Sequence, residues 1–153
     1  MAKRGINTMP FWRLVFLLYC MVMLWLLFDR DAWNADLPYK ELLRHNTNLV
    51  PFYTIKNYLK VLENSNDRYM LAHCFLNLTG NVVLFVPAGW LLPKLWKPLG
   101  NFFLFLSVCA GAILLVEAVQ LFSLLGRFDI DDLILNLFGM VMGFILFHLF
   151  RRR

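Results

Sequence analysis

Apolar residues run almost unbroken through four stretches, 11–28, 70–92, 101–125 and 133–150, and most polar residues fall between them. A helix rises about 1.5 Å per residue, so a hydrocarbon core takes roughly 20 apolar residues to cross. Each stretch therefore predicts a transmembrane helix, and the chain predicts an all-α integral membrane protein, a single domain over 1–153 with four spans. Residues 29–69 form a long loop after the first span. Within it, NLVPFYTIKNYLKVL places Ile55, Tyr58, Leu59 and Leu62 at helical spacing, with Lys56, Asn57, Lys60 and Glu63 on the other side. This predicts a short amphipathic helix lying on the membrane surface or on the bundle, started by Pro51 and Phe52.

Composition closes off other classes. The chain is 60% hydrophobic with mean hydropathy +0.60, which excludes an ordinary soluble domain. The first span has the charged-then-apolar order of a signal peptide. Asp29, Arg30, Asp31 and Ala32 follow it without an A-x-A-like cleavage site, so a retained signal anchor is expected. Cys20, Cys74 and Cys109 sit in three different spans, where a thiol acts as a small hydrophobe, and they suggest neither a disulfide framework nor a metal knuckle.

The net charge of +5 builds no basic face, so no nucleic-acid partner is expected. Instead the basic residues cluster at span ends: Lys3, Arg4 and Arg13, then Lys94 and Lys97, then Arg151 to Arg153. With four spans these three places share one side, which the positive-inside rule assigns to the cytoplasm. Both termini are then cytoplasmic and the long loop, with six basic and six acidic residues, lies outside. Trp12, Trp90 and Trp96 would mark the inner interface, and Trp25 and Trp33 the outer one.

Inside these apolar stretches the polar residues keep helical spacing. Glu117 and Gln120 share one face of the third span, with Glu117 about 12 Å below its outer end. His73, Asn77 and Asn81 form a stripe on the second span at four-residue steps, ahead of Pro87, which favours a kink. Asp132 opens the fourth span, with Asn136, Gly139 and Gly143 close to one face. GMVMG is a small-xxx-small pattern that lets another helix approach closely, and it offers a homo- or hetero-oligomer contact.

A charge near the bilayer centre costs roughly 2.5–3.5 kcal/mol, so such groups face a partner, a cavity or water. The bland account gives the asparagines interhelical hydrogen bonds, pairs Glu117 with Arg127, and makes Asp129 or Asp131 a helix cap. The sharper account gathers all of them in one outward pocket, because they fall at similar depth on three spans. Arg127 then supplies a planar fork for phosphate or carboxylate, and Glu117 manages a proton. Asp129, Asp131 and Asp132 have no spacing specific to a metal, so no metal and no cofactor are expected.

Three blocks carry a family resemblance. NTNLVPFYTIKNYL (46–59), NLTGNVVLFVPAGWLLP (77–93) and EAVQLFSLLGRFDIDDLILNLFG (117–139) resemble the VanZ-like membrane proteins, whose founding member is associated with teicoplanin tolerance. The match falls on Asn77, Asn81, Phe85, Pro87 and Gly89, and on Glu117, Gln120, Arg127, Asp131, Asp132, Asn136 and Gly139. GRFDIDD is often one residue longer in the family, between the arginine and the first aspartate. The resemblance implies a bacterial polytopic protein of the cytoplasmic membrane and supplies no reaction.

The leading expectation is an outward pocket of Asn77, Asn81, Glu117, Gln120, Arg127, Asp131, Asp132 and Asn136 that binds a lipid head group or lipid-linked wall precursor and modulates glycopeptide susceptibility. One rival is a lipid-modifying enzyme with Glu117 as acid or base and Asp132 assisting, although no nucleophile arrangement accompanies them. Another is a non-catalytic interaction protein docking through Gly139, Gly143 and the amphipathic loop.

Overall fold

The computed structural model describes residues 9–28 and 37–151. Lys3, Arg4, Asp29 to Trp33, Asp36, Arg152 and Arg153 lie outside the described residues. Four helical segments are long and apolar enough to cross a membrane, as the hydropathy pattern predicts. They are α1 (Met9–Phe28), the joined pair α4 (Arg68–Val83) and α5 (Val86–Leu95), α6 (Phe102–Phe122) and α7 (Ile130–Arg151). Between α1 and α4 come α2 (Tyr39–His45), strand β1 (Thr47–Asn48) and α3 (Tyr53–Asn64), and β2 (Phe128–Asp129) precedes α7.

The second span breaks where its proline predicts. Pro87 has no N–H to give the turn before it, and the regular helix is interrupted at Leu84 and Phe85, where the Phe85 amide turns to the Val82 carbonyl three residues back. The Leu84 carbonyl accepts a 2.9 Å hydrogen bond from the Tyr19 hydroxyl of α1. This bond at the break ties down an α1 that otherwise buries only Met23 fully.

On both sides of the break, the end of α4 and the start of α5 lie against α7 with backbones almost touching. A Cβ on Gly89 would overlap the Met140 carbonyl, one on Gly139 the Val82 carbonyl, and one on Gly143 the Val86 carbonyl. The small-xxx-small face is thus occupied within the chain. The sequence offered it equally to another copy, because spacing alone does not say which helix comes close. Beside this seam lie Phe105, Cys109 and Ile113 of α6 with Phe85, Ala88, Met140 and Phe144. Cys74, Cys20 and Cys109 are free thiols, as expected of apolar fillers.

At one end of the bundle stand Met9, Lys94, Lys97 and Arg151; we call it the terminal end. There Lys94 Nζ lies 3.4 Å from the Trp12 ring centroid and 4.0 Å from that of Trp90, and the two indoles meet edge to face. The opposite end is capped by α2, α3 and the α6–α7 turn. β1 and β2 pair in parallel there, Thr47 opposite Phe128 and Asn48 opposite Asp129. Neither strand, nor α2, carries a periodicity that a two-residue strand or a seven-residue helix would need to be seen.

Two boundaries move from the expected ones for local reasons. The third span stops at Phe122, because Leu124 adopts a left-handed φ of 57° and the Leu125 and Gly126 amides both turn back to the Gln120 carbonyl. The amphipathic helix starts at Tyr53, and Pro51 does not enter it. Val50 to Tyr53 instead form a turn, with Pro51 second and Phe52 third at φ 63°, closed by a Tyr53 N–H to Val50 carbonyl contact of 3.3 Å. A left-handed phenylalanine is costly, so something must hold it.

Candidate functional site

That something is Asp131. Its carboxylate accepts the Phe52 amide on one oxygen and the Ile55 amide, 3.1 Å away, on the other, and the residue is only 1% exposed. An N-terminal helical turn has unpaired N–H groups and a positive dipole end, which a buried carboxylate satisfies. Asp129 completes the clamp. It accepts from the Asn48 amide at 3.1 Å, from the Thr54 hydroxyl and, at 2.9 Å, from the Asp131 backbone N–H. Asp129 therefore caps α7 and Asp131 caps α3, and the two aspartates bolt the β1–α3 segment to the last span.

Above α4 the clamp leaves a polar pocket of about 480 Å³. Tyr53, Asn57 and Tyr58 of α3 form one wall, and His73 and Asn77 of α4 the facing one. Arg127 stands exposed at its mouth, and Asp129 and Asp132 close the third side. The Tyr58 and His73 rings meet edge to face at 6.1 Å. Burial raises the Tyr58 pKa above the ordinary tyrosine value; Asp132 adds to the rise and Arg127 opposes it. Tyr58 thus remains a neutral O–H donor at neutral pH. At the floor the Asn81 amide donates to Asp132.

The predicted residues divide into three groups. Asn77, Arg127 and Asp132 line the polar pocket, and Asn81 supports it through Asp132. Gln120 and Asp131 are structural. Gln120 Nε2 donates 2.8 Å to the Leu27 carbonyl at the end of α1, and its side chain packs where Gly126 leaves room. Glu117 and Asn136, 4% and 3% exposed, do not line the polar pocket; they line a separate apolar cavity deeper in the bundle. Helical spacing put Asn136 and Asp132 on one face, and it had no means of placing a floor between them.

Tyr53, Asn57 and Tyr58 are pocket residues that sequence reasoning assigned only to an amphipathic helix. Asn57 carried a signal, being polar on the side expected to face solvent, but only docking turns it into the pocket wall. Among the described residues no cluster of three or more His, Cys, Asp or Glu has the geometry to hold a metal ion.

The clamp, the polar pocket and the glycine seam all fall within the span of one family match. A family model described as VanZ/LLP1 matches residues 16–151. The chain belongs to the VanZ/LLP1 family. It is a VanZ-like multi-pass membrane protein, of a family linked to glycopeptide resistance. No curated protein and no solved structure matches it.

The family blocks now have physical roles in this chain. The block around NLVPFYT supplies Asn48 and Thr54 to Asp129 and the strained Phe52 turn to Asp131. The N-x-x-x-N block places Asn77 and Asn81 one turn apart beside Asp132, then breaks the span at Pro87 and brings Gly89 onto α7. The two serines weighed for the rival enzymatic reading do not line the polar pocket. Ser123 donates to the Gln120 carbonyl, and Ser107 lies on the exposed part of α6 toward the terminal end.

Proposed function

We infer that the polar pocket faces the outside of the bacterial cytoplasmic membrane and binds the phosphate-bearing head group of a lipid or lipid-linked wall precursor, thereby modulating glycopeptide susceptibility. The observation that carries this reading is the pocket itself: a polar chamber at one end of an apolar bundle, with the Arg127 guanidinium at its mouth. Phosphate is met by a planar donor fork, and Tyr58, His73, Asn57 and Asn77 add hydrogen-bonding groups around it. Asp129 and Asp132 are engaged by amide and hydroxyl donors of the clamp and floor, which tempers their repulsion of an anion.

Orientation rests on the basic residues of the terminal end, Arg13, Lys94, Lys97 and Arg151, which the positive-inside rule holds in the cytoplasm with both termini. Reporter fusions after residues 50, 97 and 128 are expected to read outside, inside and outside. An inside signal at 128 removes the outward pocket.

The binding reading is tested by mass spectrometry of lipids that copurify with the protein. Arg127→Ala is expected to lower the yield of phosphate-bearing lipid about tenfold or more, since a charge-assisted hydrogen bond contributes about 1.5–3 kcal/mol. Arg127→Lys, which keeps the charge and loses the fork, should fall between. An Arg127→Ala protein that inserts normally, with unchanged lipid content and unchanged teicoplanin tolerance, would refute this reading.

A further inference from the structure

The lower cavity is a different kind of space. It holds about 370 Å³ between α1 on one side and α5, α6 and α7 on the other. That volume is within the roughly 300–1,000 Å³ of small-molecule sites. Its walls are side chains such as Met23, Leu27, Phe85, Ile113 and Met140, with Glu117 and Asn136 the two carboxyl- and amide-bearing residues among them. Tyr19 also lines it, but its hydroxyl is already given to the Leu84 carbonyl.

Two observations say what kind of occupant fits. First, α1 packs chiefly on α5 and keeps most of its surface outside the bundle, so the cleft between α1 and α6 opens sideways at the depth of the apolar spans. Ala112 and Leu24, both exposed, stand at that opening. Second, Asn136 is 3% exposed, lines the cavity, and its Oδ1 is buried without a hydrogen-bond partner. Leaving a buried amide oxygen unmatched is costly, so a group that reaches it recovers that cost on binding. Water alone is a poor filler, because away from Asn136 and Glu117 the walls are apolar and leave most of the space without the two to four polar partners a water wants.

The geometry points to a binding site for a single long-chain aliphatic alcohol, or the hydroxyl-bearing chain of a neutral lipid, entering from the bilayer between α1 and α6. The chain lies along Met23, Phe85, Ile113 and Met140. Its hydroxyl hydrogen-bonds to the Asn136 amide next to Glu117. A hydroxyl both donates and accepts, so it matches the amide whichever way that group is turned. The site is distinct from the polar pocket, because no residue lines both, and the bonded Asn81 and Asp132 each lie one helical turn before a cavity residue, Phe85 and Asn136. It therefore does not rest on phosphate recognition.

The test uses the full chain in lipid nanodiscs with two photoactivatable diazirine probes, hexadecanol and the hexadecane analogue that lacks the hydroxyl. Hexadecanol is expected to label residues of α1 and α6 that line the cavity, and the hydrocarbon to label them about three- to tenfold less, the ratio one net hydrogen bond supplies. Ala112→Phe, at an exposed position, fills the mouth and should remove cavity labelling by both probes. Asn136→Leu should remove the difference between them. As Asn136 is buried, Ala112→Phe serves as the arm that leaves the core untouched. Arg127→Ala should change neither labelling pattern, which separates this site from the polar pocket. Labelling spread evenly over the lipid-facing surface and indifferent to Ala112→Phe, or equal cavity labelling by alcohol and hydrocarbon, would overturn the assignment.

Discussion

Gly143→Leu is expected to abolish accumulation of folded protein in the membrane. A Cβ at this position would overlap the Val86 carbonyl oxygen and come within 2.8 Å of the Trp90 amide nitrogen, both of them backbone atoms of α5. A long side chain at a rim relaxes by changing rotamer. Backbone at a helix crossing relaxes only by separating the helices, and overpacking of that kind costs about 3 kcal/mol or more. Gly139 and Gly89 lie on the same seam, so no neighbouring gap takes up the displacement. Gly111→Ala is the control, because a Cβ there meets nothing within 4 Å. Detergent-resistant fold and membrane yield are the readouts. If Gly143→Leu accumulates normally and keeps its thermal stability but loses function, the glycine face serves a second protein after all.

Asp131→Ala should release the whole capping segment while leaving the four spans inserted. Two amide donors at the start of α3, Phe52 and Ile55, would lose their acceptor in a site that is 1% exposed, and the left-handed Phe52 would lose what holds it. Each hydrogen bond to a charged acceptor contributes about 1.5–3 kcal/mol, so a loss of about 3 kcal/mol or more is expected. It should be confined to α3 and the β1–β2 pair. Hydrogen exchange is the discriminating measurement: amides of Tyr53 to Asn64 should lose protection while those of α6 and α7 keep theirs. Asp131→Asn retains one acceptor oxygen and should be milder. Exchange protection in α3 that survives Asp131→Ala would show that side-chain packing on α4 holds the helix without the clamp.

These two variants probe features that differ in how far the sequence could show them. The glycines were legible as a close-approach pattern, since GMVMG keeps small residues on one helical face in a setting where only small residues allow backbone contact. Their partner was not legible, because α5 and a second chain offer the same kind of surface. The aspartates were legible as a costly cluster, with a capping role among the alternatives for Asp129 and Asp131. Their division of labour was not: nothing in FDIDD says that Asp129 caps its own helix while Asp131 caps one nearly eighty residues earlier. Glu117 shows the limit most directly. Depth placed it beside Asp132 and Asn136, and the fold put Asp132 above the Asn81 floor and the other two below it.

The sequence by itself determined what a periodic pattern can encode: four spans, a break at Pro87, an amphipathic helix between the first two spans, and the membership of the VanZ-like blocks. Such features depend on the identity of residues within one or two turns of each other, and bilayer thickness supplies the remaining constraint. Only the tertiary structure decided that the polar residues form one pocket, one apolar cavity and one clamp. Each of those rests on contacts between residues tens of positions apart, where a side chain's direction is set by how helices cross and rotate, and helical spacing leaves that rotation open.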